Sequence, residues 1–189
     1  MNSEKEKIII GIDPGTVIMG YGVISVKKDK IKLISLGIVK LNKYNDNYKK
    51  LKQIYERVSY LVKEYKPESC AIEAPFYGKN VQSMLKLGRA QGVAIAAALA
   101  SNVDICEYSP KKIKQSITGN GNASKEQVAG MLKSIIGYKE DPTYLDATDA
   151  LATAVCHYYQ QKSILSQTSV TGTSKNWSDF LKNNPGRIK

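Results

Sequence analysis

Four carboxylates, Asp13, Glu73, Asp146 and Asp149, stand where an apolar run stops or a helical pattern starts. Acids at the ends of regular elements are held by rigid backbone, as a metal-binding or catalytic carboxylate must be. Clustered together, they would repel one another without a cation. Hard oxygen ligands select Mg²⁺ or Mn²⁺, and two such ions about 3.5–4 Å apart activate a water and stabilise the leaving oxygen in phosphodiester hydrolysis. Each acid also has a plainer reading: a turn residue for Asp13, an ordinary strand end for Glu73, and helix capping with dipole complementation for Asp146 and Asp149. What shifts the balance is the presence of all four in a chain that is otherwise strongly basic.

The elements that must position them follow from the apolar pattern. Ile8, Ile9, Ile10 and Ile12 are β-branched and apolar on both faces, which suits a central strand, and Pro14 and Gly15 break it just after Asp13. Gly20–Val26 and Ile31–Val39 read as two further strands across the charged turn 27–30, giving an antiparallel meander. Gly20 and Gly22 are costly inside a strand and imply either a bulge or the close approach of another backbone or ligand. From Asn47 to Tyr65, Leu51, Ile54, Tyr55, Val58, Leu61, Val62 and Tyr65 recur at helical spacing, and Pro67 ends that helix. Ser69–Glu73 repeats the first design, a short apolar strand closing on an acid.

Further on, Lys79–Ser101 is helical in composition, with Gly88 and Gly92 permitting close packing. Val103–Tyr108 reads as a strand, and Ser109-Pro110 as the start of a helix over Lys111–Ile117. Ser124 with Gln127 forms a capping-box pattern ahead of Val128, Met131, Leu132, Ile135 and Ile136. The last helix is expected from about Leu145 to Gln161, with Asp146 and Asp149 three residues apart on one face of its first turn. The domain is expected to span 1–161, and the Ser/Thr-rich stretch 162–189 to form a basic tail.

Charge points the same way. Against 17 acids the 189-residue chain carries 28 lysines and arginines, a formal net charge of +11 and a pI near 9.4, which favours a polyanionic partner such as nucleic acid. No acid lies between Glu73 and Asp104, where Lys79, Lys86 and Arg89 stand, nor between Tyr108 and Lys125, where Lys111, Lys112 and Lys114 stand. Cations on phosphates and carboxylates on metal are the layout of a nucleic-acid enzyme, although lysines on helices are also commonly just solvated. Phe76 and Tyr77 are placed either to stack on an unpaired base or to pack in the core. His157 lies well inside the last helix, away from the acids, and no serine or cysteine has an evident base partner, so covalent catalysis is disfavoured. Cys70, Cys106 and Cys156 are too scattered for a zinc site or a disulfide framework. The N-terminus lacks a signal peptide's apolar core and the alanine-rich stretch 92–100 is too short to span a bilayer, so the expected location is the cytoplasm, with no membrane contact.

Four collinear motifs, GIDPGT at 11–16 followed by GYGVI at 20–24, AIEAPF at 71–76, KNVQSMLKLGRAQGVA at 79–94 and DATDALATA at 146–154, resemble the RuvC family of bacterial Holliday junction resolvases. The resemblance runs from about Ile8 to Tyr158. It implies an α/β, RNase H-like fold with a five-stranded mixed sheet flanked by helices, acting as a homodimer on four-way DNA junctions. It implies that Asp13, Glu73, Asp146 and Asp149 meet to bind Mg²⁺, with Mn²⁺ as a substitute and two ions per site. Paired symmetric nicks with 5′-phosphate and 3′-hydroxyl ends would result, in homologous recombination and DNA repair. It also places Phe76 at a junction-contacting aromatic position and Lys114 and Lys125 at DNA-contacting positions, and implies RuvA and RuvB branch-migration proteins as partners.

Three rivals stand beside this. GIDPGT also resembles the first phosphate loop of actin-like and sugar kinases, but those need a second duplicated domain that 189 residues cannot hold. A non-enzymatic junction-binding protein would have no use for four intact acids. A nuclease of the same fold acting on a different substrate, such as an RNA strand in a hybrid, is separated only by substrate competition.

Overall fold

The computed structural model describes residues 6–75, 80–137 and 145–170, the side chains of 165–170 excepted. Three consecutive strands, β1 (Lys7–Asp13), β2 (Ile18–Lys27) and β3 (Lys30–Lys40), form the expected antiparallel meander. Helix α1 (Asn47–Tyr65) then carries the chain across the sheet to β4 (Ser69–Glu73), which pairs parallel to β1. A second crossover through α2 (Val81–Leu99) adds β5 (Asp104–Tyr108), parallel to β4, so the sheet is mixed, in the order β3-β2-β1-β4-β5. Helices α3 (Pro110–Thr118), α4 (Lys125–Ile136) and α5 (Leu145–Val170) complete the described residues. By its internal contacts the chain divides into two units, residues 1–158 and 159–189; all five strands and α1–α4 belong to the first.

Local chemistry explains the element ends. Asp46 caps α1 by accepting from the Tyr48 N–H at 2.8 Å, and Lys66 closes it in the left-handed conformation at φ 47°, just ahead of Pro67. The capping box of α4 is complete: Ser124 Oγ accepts from the Gln127 N–H, and the Gln127 side chain accepts from the Ser124 N–H. The last helix runs on to Val170 rather than ending near Gln161, because KSILSQTSV contains neither glycine nor proline to stop it.

The two faces of the sheet are built differently. On one, Ile10, Ile12, Val23, Cys70 and Ile72 meet Ile54, Val58 and Leu61 of α1 and Ala94 and Ala98 of α2 in a closed apolar core. On the other, glycines replace side chains. Gly11 and Gly22 are directly opposed across β1 and β2, and Gly20 is opposed to Asp13. A Cβ at Gly11 would lie 2.0 Å from the Ala150 carbonyl oxygen, one at Gly20 would lie 2.0 Å from that of Asp146, and one at Gly22 would lie 2.7 Å from Leu151 Cα. The close backbone approach implied by Gly20 and Gly22 is therefore that of α5. The pairing irregularity lies next door, where Val23 and Ile24 partner Ser35 and Leu33 and Ile34 is skipped. Of the cysteines, Cys70 and Cys156 are buried, Cys106 is half-buried, and all three are free thiols. Among the described residues no helix is long and apolar enough to cross a membrane.

Because backbone rather than a flexible side-chain tip faces each glycine, Gly11→Ala and Gly22→Ala are expected to lower stability by about 1–3 kcal/mol or more, read as a shifted urea midpoint. Midpoints equal to the wild type would show that α5 is free to lift off the sheet.

Candidate metal centre

Strand alternation puts Asp13 on the same face as Gly11, toward α5. The helix lies with its first turn at this end of the sheet, since Gly20, the partner of Asp13, faces the Asp146 backbone while Gly11 faces Ala150 and Ala154. Asp146 and Asp149 thus arrive beside Asp13 without a long side chain having to reach. Each of the three acids offers an oxygen, and these oxygens lie within 4.8 Å of one another. Glu73 joins from the neighbouring parallel strand: Ile12 pairs with Ile72, so the residues that follow them end level, on strands about 4.8 Å apart. Asp13 and Glu73 share a cavity of about 150 Å³ with Pro14, Leu87, Gln91 and Pro110.

The electrostatics match this crowding. Burial, followed by the charges of Glu73, Asp149 and Asp146, pushes the Asp13 carboxyl up to about 8 from its ordinary 3.8, against a smaller opposing pull from Lys125. Burial and the Asp149 charge likewise push Glu73 up to about 7, with Lys125 and Lys114 drawing it down. The Lys125 ammonium is 2.5 Å from Asp149 Oδ2 and 3.8 Å from Asp146 Oδ1. Burial disfavours its charge, but the hydrogen bond and charge of Asp149 outweigh that and hold its pKa above the ordinary lysine value. Lys125 and Lys114 together do not offset the four acids, since Asp13 and Glu73 both stay raised. A cluster of hard carboxylate oxygens that resist ionisation together is the donor set a divalent cation stabilises.

The other residues singled out by sequence are spread more widely. Lys114 lies close enough to Glu73 to lower its pKa, and Lys125 is engaged with Asp146 and Asp149. Lys86 and Arg89 project from α2 into a different cavity, together with Thr16 from the turn after β1. Phe76, Tyr77 and Lys79 fall outside the described residues. His157 is buried about two turns past Asp149 along α5, roughly 12 Å by helical rise, in a 2.7 Å hydrogen bond with the Tyr108 hydroxyl. It is no part of the acid cluster. Sequence reading missed Gln91, which is buried beside the acids and donates to Glu107 Oε2 at 2.6 Å. The available signal was a glutamine on the alanine-rich buried face of α2.

Comparison with known proteins agrees with the geometry. The family model for crossover junction endodeoxyribonuclease RuvC matches residues 9–157. A crossover junction endodeoxyribonuclease RuvC of Cytophaga hutchinsonii is 56% identical over 190 residues, covering 100% of this chain and 92% of its own length. One from Christiangramia forsetii is also 56% identical, over 98% of this chain and 95% of its own. Among solved structures, T. thermophilus RuvC in complex with Holliday junction substrate superposes with a TM-score of 0.78 at 33% identity, covering 83% of this chain and 96% of that one. The RNase H-like architecture implied by the sequence resemblance is the one observed, and the chain belongs to the RuvC family of crossover junction endodeoxyribonucleases.

Proposed function

We propose that the protein is a metal-dependent DNA endonuclease that resolves four-way junctions in recombination and repair, cutting two symmetric strands to leave 5′-phosphate and 3′-hydroxyl ends. The observation that carries this reading is the meeting of Asp13, Asp146 and Asp149 within 4.8 Å, on rigid elements of a basic, RuvC-family chain. Asp13, Glu73, Asp146 and Asp149 would hold Mg²⁺, or Mn²⁺ in its place, as two ions. Bound there, the metal supplies charge stabilisation at the phosphoryl oxygens and a lowered pKa for water. The chain's own acids must lose protons to bind it, which the high pKa values of Asp13 and Glu73 set against metal affinity below neutral pH. Lys114 and Lys125 keep positive charge beside the cluster and are proposed to contact the phosphate chain, as are Phe76, Lys79, Lys86 and Arg89 elsewhere on the DNA path.

A homodimer is part of the proposal, because cutting two symmetric strands calls for a twofold arrangement of sites. Its support is on α2, where Val81, Leu85 and Leu99 are exposed at helical spacing beside Gly88 and Gly92, over which there is open space. A second copy would cover this apolar face. The cytoplasm as compartment, and RuvA and RuvB as partners on the same junction, belong to the same proposal.

An immobile junction should receive paired nicks in Mg²⁺ and none in chelator, while linear duplex stays intact. Asp13→Asn and Glu73→Gln should each cut more than about a hundredfold more slowly, the usual scale for removing a transition-state stabiliser, with junction binding retained. Binding without any cutting in Mg²⁺ or Mn²⁺ would leave a junction-binding module as the better account. Leu85→Lys should sediment as a monomer and lose symmetric cutting; an intact dimer would move the interface elsewhere.

The raised carboxyl pKa values have a sign that can be tested without activity. Folded Asp13 and Glu73 keep their protons to about 8 and 7, whereas in the unfolded chain they ionise near their ordinary 3.8 and 4.5. The folded state therefore holds more protons across that window, and metal-free stability is lost as pH rises from about 4 to 8. Asp13→Asn in chelator should stabilise the fold by about 2 kcal/mol or more at pH 8, one pKa unit being worth about 1.4 kcal/mol, and should change little at pH 4. A destabilised Asp13→Asn at pH 8 would contradict the electrostatic picture.

A further inference from the structure

A second cavity, of about 90 Å³, opens at the same end of the sheet as the acids. Thr16, from the turn that follows Asp13, forms one wall; Asn47 and Lys50, from the first turn of α1, form another; Lys86 and Arg89, on α2, form a third, over an apolar floor that includes Ile54. Three cations from two helices thus converge on one small space, and among the described residues no acid lines it. None of the three is in an ion pair among the described residues. The acid nearest Lys50 in sequence, the α1 cap Asp46, accepts from the Tyr48 N–H through Oδ1 and is not among the residues lining the cavity. Three cations lining one concave space raise the local concentration of anions there. The volume suits a phosphate group and is well below the roughly 300 Å³ that small-molecule sites begin at.

Thr16 is three positions after Asp13, so the two backbones are at most about 10 Å apart. Along one DNA strand, at about 3.4 Å of axis per phosphate, that corresponds to roughly one to three nucleotides. We propose that this cavity seats a non-scissile backbone phosphate of the cleaved strand, and that Lys50, Lys86 and Arg89 are positioning residues that set which phosphate lies over the acids. The proposal rests on the endonuclease reading for the identity of the strand, but the seat itself is defined by its own cations. Lys86 and Arg89 are thereby distinguished from the many lysines that merely face solvent.

The test is a methylphosphonate scan of a junction, neutralising one phosphate at a time, with binding measured in Ca²⁺ and cleavage in Mg²⁺. For the wild type, one neutralised position one to three nucleotides from the cut should weaken binding about tenfold. In Lys86→Gln/Arg89→Gln, and independently in Lys50→Gln, neutralising that same position should cost less than twofold, and the slope of log affinity against log salt should fall by about 1. Sedimentation of each variant beside the wild type separates a lost phosphate contact from a changed oligomeric state, and Lys50 lies on α1 rather than on the apolar face of α2. A scan with no sensitive position, or one equally sensitive in wild type and variants, would overturn the phosphate seat. A wild type that shows the coupled binding effect yet never cuts would keep the seat and remove the endonuclease reading instead.

Discussion

Everything at the metal centre depends on how closely α5 lies against β1 and β2. Helices packed on sheets are normally held off by the side chains between them, but here Gly11, Gly20 and Gly22 leave backbone facing backbone. The stability forgone by glycine inside two strands is offset by what the contact permits. Two short aspartate side chains, one in the first turn of a helix and one just after it, reach a third at the end of a strand, all on rigid supports. A longer gap would require glutamates or loops, and the positional precision that phosphoryl chemistry demands would be lost.

That arrangement stores electrostatic repulsion. Asp13 and Glu73 are buried with like charges at their sides, and a single ammonium, that of Lys125, bridges Asp149 and Asp146. The repulsion is confined to one end of the sheet and is offset by apolar burial on both faces, against α1 and α2 on one and along α5 on the other. That confinement lets a strongly basic chain concentrate its buried acids in one place. The remainder of its charge is free to meet a polyanion.

Much of this was legible in the sequence, for identifiable reasons. The isoleucine run ending on Asp13, the matching SCAIE strand and the spacing of Asp146 and Asp149 are local signals, and local signals set element type and which side chains share a face. Gly20 and Gly22 leave a bulge and a close approach equally open, because the backbone that approaches them lies more than a hundred residues away in the chain. The parallel pairing of β4 with β1, the position of Lys125 on the acids and the meeting of Thr16, Lys50 and Arg89 around one cavity are products of tertiary packing, on which local periodicity is silent. The apolar pattern fades near Gln161 while α5 runs to Val170, because nothing in 162–170 breaks a helix. Gln91 escaped notice as one polar residue in an otherwise apolar face.

The central claim, that close packing of α5 on the glycine face builds a metal centre from four acids, is tested most directly by crystals soaked in Mn²⁺ and measured at the manganese absorption edge. The account predicts anomalous peaks among the carboxylates of Asp13, Glu73, Asp146 and Asp149, with the Lys125 ammonium displaced from Asp149. Fully occupied peaks elsewhere, with Lys125 still on Asp149, would contradict it.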